Sequence, residues 1–348
     1  MDRTQVLMLF GGESSEHDVS ISSARNVYAA IDDEKYDVQL CYIDPHGKWW
    51  LLETLDMQID IRDAPQLLPV LGSNSFVTLP NDKVVNPDVI LPILHGRNGE
   101  DGSVQGLAQL LHIPIVGCDV TASGTAMNKL AFKEILTANN IAVIPYEVHR
   151  DYEEVPDFSR LTMRLGSPLF VKPARAGSSV GVSKVHNESE FKDALVEAHL
   201  HDPIALIERA ISGHELEVAI LGTPPHHQIS GVGEIIPGDE FYTYEDKYSA
   251  GSKAKVNTDA DIDQATKDEI RDIAARTFEI MDCRGLSRID YMLSNDGQIY
   301  VMELNTMPGF TNISMYPKLW RQQGISYPQL IEMLIADALA NGTIDSET

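Results

Sequence analysis

Two runs rich in Ile, Tyr, Val and Met, residues 286–293 and 298–305, are separated by Ser294-Asn295-Asp296-Gly297. Asp-Gly between such runs signals a β-hairpin with a two-residue turn, and a hairpin sets its pairing residue by residue. With Asp296 and Gly297 as the turn, Asn295 pairs with Gln298, Asp290 lies opposite Glu303, and Arg288 lies opposite Asn305. Strand alternation then puts all four side chains on one face. Like charges directly across a ladder destabilise it, so the pair calls for compensation. A hard divalent cation held by the oxygens of Asp290, Glu303 and Asn305 supplies it most simply. Magnesium in such a place implies phosphate chemistry.

The first third of the chain alternates strands and helices. Strands are expected over residues 5–10, 38–43, 89–94 and 113–116, and helices over 19–31 and 102–112. This rhythm predicts a parallel sheet covered by helices, with ligands beyond the carboxyl ends of its strands. Two glycine-bearing segments fall at such ends: Gly11-Gly12-Glu13-Ser14-Ser15-Glu16-His17, and His95-Gly96-Arg97-Asn98-Gly99-Glu100-Asp101-Gly102. The stretch between the second and third strands reads as irregular.

Beyond residue 122 the pattern changes. A helix is expected over 129–139, strands over 168–172, 182–185, 204–208 and 216–221, and a helix over 189–201. A long loop covers 237–258. Ser326-Tyr327-Pro328-Gln329 is a capping box opening a last helix, whose stripe of Leu330, Ile331, Leu334, Ile335 and Leu339 is core-facing, and Asn341-Gly342 ends it. The fold class is therefore α/β and α+β, with three domains expected at residues 1–122, 123–216 and 217–348.

The balance of 27 basic against 52 acidic residues gives a net charge of −25. A surface so negative repels nucleic acid and anionic membranes, which excludes both as partners. An anionic substrate must be met by locally placed Lys and Arg. No run reaches the ~18 apolar residues of a membrane span, and the first residues lack a signal-peptide pattern. Cys41, Cys118 and Cys283 form no CxxC, so neither a disulfide framework nor a zinc site is indicated and buried reduced thiols are expected. These features fit a cytoplasmic protein.

The segment Phe170-Val171-Lys172-Pro173-Ala174-Arg175-Ala176-Gly177-Ser178-Ser179-Val180-Gly181 joins two expected strands by small residues. Backbone N–H groups in such a loop approach phosphate oxygens closely, and Lys172 adds a point charge. A plain hairpin has the same pattern. Neither GK[ST] nor GxGxxG occurs, which excludes a P-loop and a dinucleotide fingerprint. Glu208 and Glu215 are candidates for binding a ribose or a base amine. Tyr242, Tyr244, Lys247, Tyr248, Lys253 and Lys255 make a cationic, aromatic island in the long loop, suited to a lid that neutralises charge and excludes water.

Taken together, these motifs resemble the D-alanine–D-alanine ligases of the ATP-grasp superfamily over nearly the whole chain. The segments at 11–20 and 94–106 are similar to the family's two N-terminal signatures, and 172–181 to its ATP loop. Residues 244–248 resemble its lid, and 287–290 with 303–309 its metal and acceptor region. The resemblance implies an ATP-grasp fold behind an N-terminal Rossmann-like parallel α/β domain. It also implies the joining of two D-alanines through an acyl phosphate, for peptidoglycan precursor synthesis. ATP and two Mg²⁺ ions, with Mn²⁺ as an alternative, are the implied cofactors, and a homodimer the implied assembly.

By the same resemblance Asp290, Glu303 and Asn305 hold the metal ions. Lys129, Lys172 and Lys247 contact phosphates, and Glu208 and Glu215 bind adenine and ribose. Arg288 stabilises the acyl phosphate, while Glu16 binds the first D-alanine's ammonium with His95 near its carboxylate. Ser178 and Tyr248 join Glu16 in ordering the lid. Gly309 offers a backbone N–H to the intermediate, and Ser314 and Met315 line the acceptor pocket. Tyr248 points to D-alanine as acceptor, with D-serine an open alternative. The chain departs from the family pattern at Asn128, where Asp is common, and at Ala210, where a bulkier residue is often seen.

Overall fold

A computed structural model describes residues 3–177, 179–236, 255–311 and 314–341. The first sheet begins with β1 (Thr4–Gly11), crosses over through α1 (His17–Ala30) to β2 (Tyr36–Ile43), and continues through β3 (Trp49–Leu52), β4 (Gln66–Val70), β5 (Ser75–Leu79), β6 (Val84–Val85) and β7 (Val89–Ile93). Its order is β6-β5-β4-β3-β2-β1-β7. Only β7, β1 and β2 run parallel. The other four strands are antiparallel, so the sheet is mixed and the stretch expected to be irregular is mostly strand. The expected strand at 113–116 is reduced to an isolated bridge from Ile115 to Ile90. Helix α2 (Ser103–Leu111) follows β7.

Strand β1 reads Val-Leu-Met-Leu-Phe because both of its faces are buried. Val6, Met8 and Phe10 enter one core with α1, whereas Leu7 and Leu9 enter another with Val104, Ala108 and Leu111 of α2. At its carboxyl end Gly11 turns with φ +92°, and a Cβ there would lie 2.3 Å from the Ile43 carbonyl oxygen. Only glycine lets the chain leave the sheet at this point.

Helices α3 (Val120–Met127) and α4 (Lys129–Ala138) lead to the second sheet. Asn128 caps α4 by accepting from the Ala131 N–H at 3.3 Å, a task asparagine performs as well as aspartate. The second sheet contains β8 (Tyr146–Arg150), β9 (Leu169–Pro173), β10 (Ser183–Val185) and β11 (Ile204–Arg209), in the antiparallel order β10-β9-β11-β8, with α5 (Phe158–Leu165) and α6 (Glu188–His201) packed on it. The glycine-rich loop thus joins the hairpin strands β9 and β10.

The third sheet has the order β14-β13-β12-β15-β16: β12 (Gly213–Leu221), β13 (Gln228–Ile236), β14 (Lys255–Asn257), β15 (Leu286–Ser294) and β16 (Ile299–Asn305). Strand β12 runs across the expected division at 216/217 and pairs with β15 along its whole length. Helix α7 (Gln264–Ile280) covers one face through Ile270, Ala274 and Phe278. After α8 (Met315–Gln322), α9 (Tyr327–Asn341) begins at the expected capping box, where the Gln329 Oε1 accepts from the Ser326 N–H at 3.0 Å. Its Leu330, Ile331, Leu334 and Ile335 join the core that α1 forms on the Val6–Met8–Phe10 face of the first sheet, packing beside α1 and β7.

The β15–β16 hairpin reaches the expected pairing by a different route. Ser294 pairs with Gln298 through two hydrogen bonds, the Ser294 N–H and the Gln298 carbonyl among them, so the loop has three residues. Gly297 takes φ +86°, as three-residue loops require of their last position. That loop alone would place Met302 opposite Asp290. A bulge at Met302 shifts the ladder by one residue, and Asp290 meets Glu303 after all, with Arg288 opposite Asn305. The core pattern records the shift, since Ile299 and Val301 are followed by Leu304.

Gly11→Ala combines a left-handed φ with a collision against backbone and is expected to destabilise the protein by about 2 kcal/mol or more. A urea unfolding midpoint within error of the native value would refute this account of the strand end.

Candidate active site

The face of the third sheet opposite α7 carries a row of carboxylates. Glu217 of β12 is in register with Asp290 of β15, which is in register with Glu303 of β16. Glu217 and Asp290 are buried. Arg288 answers both: it donates to Asp290 from Nε at 2.7 Å and Nη2 at 2.6 Å, and its Nε lies 3.2 Å from a Glu217 oxygen. Burial works against the charged guanidinium, but Asp290 and Glu217 outweigh it and drive its pKa well up. The Asn305 amide donates to Asp290 at 3.1 Å. Lys129 Nζ stands 4.0 Å from Glu303 and donates to the Ala176 carbonyl at 2.7 Å, tying the row to the glycine-rich loop. The compensation expected across the ladder is therefore supplied in part by Arg288 and Lys129.

Among the described residues no group of three or more His, Cys, Asp or Glu side chains converges as a metal cage. The oxygens of Asp290, Glu303 and Asn305 nonetheless share one face, and all are hard donors suited to Mg²⁺.

Glu16 enters from the opposite side. It is buried at the start of α1, just past the carboxyl end of β1. A Cβ on Gly96 would lie 2.9 Å from its Oε2, and one on Gly177 3.5 Å away. One carboxylate thus lies between two glycine loops about eighty residues apart by number, and Gly96, at φ +70°, leaves no space for a larger side chain. Ser14 binds this corner together: its hydroxyl donates to the His95 carbonyl at 2.6 Å and accepts from the Glu16 N–H at 3.1 Å. His95 is buried, with Nε2 3.2 Å from the Ser23 hydroxyl and a hydrogen bond to the Met307 backbone. Burial lowers its pKa, with Glu16 and Met307 opposing, so the ring is neutral at physiological pH.

Glu100, quoted above only as part of a motif, belongs to the same site. Its Oε2 accepts from the Gly96 N–H at 2.9 Å. Burial first, then the charges of Glu16 and Glu303, push its carboxyl well above the ordinary range, with Arg288 pulling the other way. Its place between Gly99 and Gly102 gives no sign of this role; only the packing of the loops against Glu16 and Glu303 does.

The expected nucleotide residues gather on the second sheet. Glu208 of β11 accepts from Lys172 of β9 at 2.6 Å and lies 3.0 Å from Lys133 of α4. Burial favours its neutral form, yet Lys133 and Lys172 outweigh that and hold its pKa below the usual value. Glu215 projects from β12 on the same face as Glu217. Gly309 sits against Ser314, whose Oγ accepts from the Thr311 N–H at 3.1 Å. Met315 is a core residue, its thioether packed against Gly233 and its side chain buried with Leu319 and Trp320. Ser178, Lys247 and Tyr248, with the tyrosines and most lysines of the long loop, lie outside the described residues. Cys41, Cys118 and Cys283 are free and buried, as expected. Among the described residues no helix is long and apolar enough to cross a membrane.

Two family profiles match the chain: "D-ala D-ala ligase N-terminus" over residues 5–118 and "D-ala D-ala ligase C-terminus" over 135–336. The D-alanine–D-alanine ligase A of Chromobacterium violaceum is 43% identical over 358 residues, covering 99% of this chain and 98% of its own. The D-alanine–D-alanine ligase of Acetivibrio thermocellus is 42% identical over 362 residues, covering 96% and 95%. Among solved structures, the D-alanine–D-alanine ligase of Coxiella burnetii superposes with a TM-score of 0.88 at 32% identity, covering 98% of this chain and 95% of that one. The VanG D-Ala:D-Ser ligase of Enterococcus faecalis superposes with a TM-score of 0.88 at 30% identity, covering 97% and 100%.

The raised pKa of Glu100 has a measurable consequence. A carboxyl whose pKa folding raises contributes stability below its unfolded pKa and loses it as pH rises through the folded pKa. Between pH 5 and 9 the native melting temperature should therefore carry a downward component that Glu100→Gln lacks. Parallel curves for the two proteins would refute the assignment.

Proposed function

The chain belongs to the D-alanine–D-alanine ligase family, and we propose that it joins two D-alanines at the expense of ATP, through an acyl phosphate, for peptidoglycan precursor synthesis. Its fold is the ATP-grasp fold behind an N-terminal α/β unit, the sheet of that unit being mixed rather than parallel. The observation that carries the reading is the Glu16 carboxylate lying between Gly96 and Gly177, beside the charged row of the third sheet. An anionic carboxylate facing a glycine-rich phosphate loop is where an amino acid's ammonium would anchor while its carboxylate meets ATP.

In this reading the first D-alanine places its ammonium on Glu16 and its carboxylate near neutral His95. Lys129 and Lys172, with Lys247, neutralise the phosphates. The γ-phosphoryl group passes to the D-alanine carboxylate, leaving ADP and an acyl phosphate. The amine of the second D-alanine, its carboxylate held by Ser314 in the pocket by Met315, attacks the acyl carbon and phosphate leaves. Arg288 and the Gly309 N–H stabilise the negative charge of the intermediate. Glu208 and Glu215 hold the adenine and ribose, and Ser178 and Tyr248 join Glu16 in closing the lid. Asp290, Glu303 and Asn305 would hold two Mg²⁺ ions, or Mn²⁺ in their place, which when bound neutralise the charge on the transferring phosphoryl group. Mg²⁺ retains several waters, so two carboxylates and an amide suffice. A cytoplasmic homodimer of three domains, divided near 122 and 216, completes the proposal.

D-alanine as acceptor is favoured by Tyr248, and D-serine is the second reading, because the D-Ala:D-Ser ligase superposes as well as the D-alanine enzyme.

The native protein with ATP, Mg²⁺ and D-alanine should release one phosphate per dipeptide formed. Offering D-alanine, D-serine and D-lactate as acceptors and weighing the products identifies the second substrate. Phosphate release with an L-amino acid or bicarbonate, but none with D-alanine, would sink the proposal. Asp290→Asn should lower kcat by about a hundredfold or more, the order found when one charge-stabilising partner is removed, and raise the Mg²⁺ concentration needed for half-maximal rate.

A further inference from the structure

Lys133 is 0% exposed, an uncommon place for a lysine. It stands on the inner side of α4 between Leu130 and Leu136, one turn beyond Lys129. Among the described residues its ammonium makes no well-formed hydrogen bond, and its ion-pair partner is Glu208, whose Oε1 is 3.0 Å away. The ring of Tyr146 lies beneath it, 5.5 Å from Nζ to the centroid. The other oxygen of Glu208 belongs to Lys172 at 2.6 Å. One carboxylate is therefore clamped by two lysines of different character. Lys172 is partly exposed toward the glycine-rich loop, whereas Lys133 is sealed in the core.

We propose that Lys133 is a positioning residue for the nucleotide: it is the immobile counter-ion that keeps Glu208 ionised and aimed when ATP draws Lys172 toward its phosphates. The inference rests on the reading of Glu208 as an adenine-site residue. An ionised carboxylate only accepts hydrogen bonds, so it suits the 6-amino group of adenine and offers nothing to the oxygen that replaces that group in a 6-oxo purine. If Lys133 were absent, each departure of Lys172 would leave a buried carboxylate without a cation, and it would take up a proton instead. The charged and titratable groups facing Glu208 are Lys133 from α4, Lys172 from β9 and Tyr146 from β8, with Lys129 of α4 acting on Lys133. Of these, only Lys133 is both in contact with the carboxylate and unable to leave it.

The test compares native protein, Lys133→Met and Lys133→Arg, with ATP and with ITP, from pH 6 to 9. For the native protein the KM for ATP should be flat across this range and ATP should be preferred. In Lys133→Met the KM for ATP should rise about ten- to a hundredfold at pH 6, the size of losing a hydrogen bond to a charged group, and recover as pH rises and Glu208 ionises. The preference for ATP over ITP should shrink by about tenfold, with the KM for D-alanine unchanged, and Lys133→Arg should restore much of both. A purely structural lysine would lower the melting temperature while leaving the pH profile and the ATP/ITP ratio as in the native protein; that result overturns the proposal. Should Lys133→Met fail to fold, Lys133→Met combined with Glu208→Gln should fold and match Glu208→Gln alone. Failure of that double variant to fold, or a further loss beyond Glu208→Gln, also overturns it. Absence of D-alanine-dependent ATP turnover in the native protein would instead discard the underlying reading, before any variant is made.

Discussion

Three carboxylates in one row of a sheet, Glu217, Asp290 and Glu303, would drive their strands apart without the guanidinium of Arg288. Arg288 stands one pair along the ladder from the row and reaches back to it with a bidentate grip on Asp290. The arrangement is costly in isolation, since four charged groups are withdrawn from water. It holds because the opposite face of the same strands is mainly apolar, with Ile289, Tyr291 and Leu293 buried against α7 and its neighbours. Core on one face thus supports charge on the other. Lys129 extends the charged network to the glycine-rich loop, so sheet and loop form one electrostatic unit.

In a chain with a net charge of −25, cations are scarce and their placement is informative. Lys129, Lys133, Lys172 and Arg288 are all withdrawn from the surface and each faces a glutamate or aspartate. They create a local field suited to a polyanion while the exterior repels other polyanions. Glu16 and Glu100 stand on the far side, where the proposed reading places the opposite kind of group, an ammonium. Their mutual repulsion is settled by Glu100 keeping its proton.

Much of this was readable from residues alone, with uneven depth. The facing of Asp290 and Glu303 followed from Asp296-Gly297, although the turn was assigned one residue too short. Ser-Asn-Asp-Gly suits a loop of either length, and the deciding signal, the break in alternation from Val301 to Leu304, lies six residues away. Strands β3 to β6 escaped notice because they are short, and Pro69 and Gly72 interrupt their pattern. Glu100 and Lys133 were invisible for a different reason. A glutamate in a loop and a lysine on a helix are ordinary surface residues until tertiary packing encloses them. The apolar phase of α4, Leu130 then Leu136 with Lys133 midway, was the one local hint.

The docking of α9 on the first sheet bears on how the protein is made. Val6, Met8 and Phe10 emerge from the ribosome early and meet α1 at once, yet Leu330, Ile331, Leu334 and Ile335, which complete that core beside α1 and β7, are translated some three hundred residues later. At ~5–20 residues per second that interval is tens of seconds. Until then the part of that core between α1 and β7 lacks its last helix and stays open to water. On the other face the cover is complete sooner, because α2 follows directly after β7. One side of the sheet is finished early, and the other, begun by α1, waits for the chain to return.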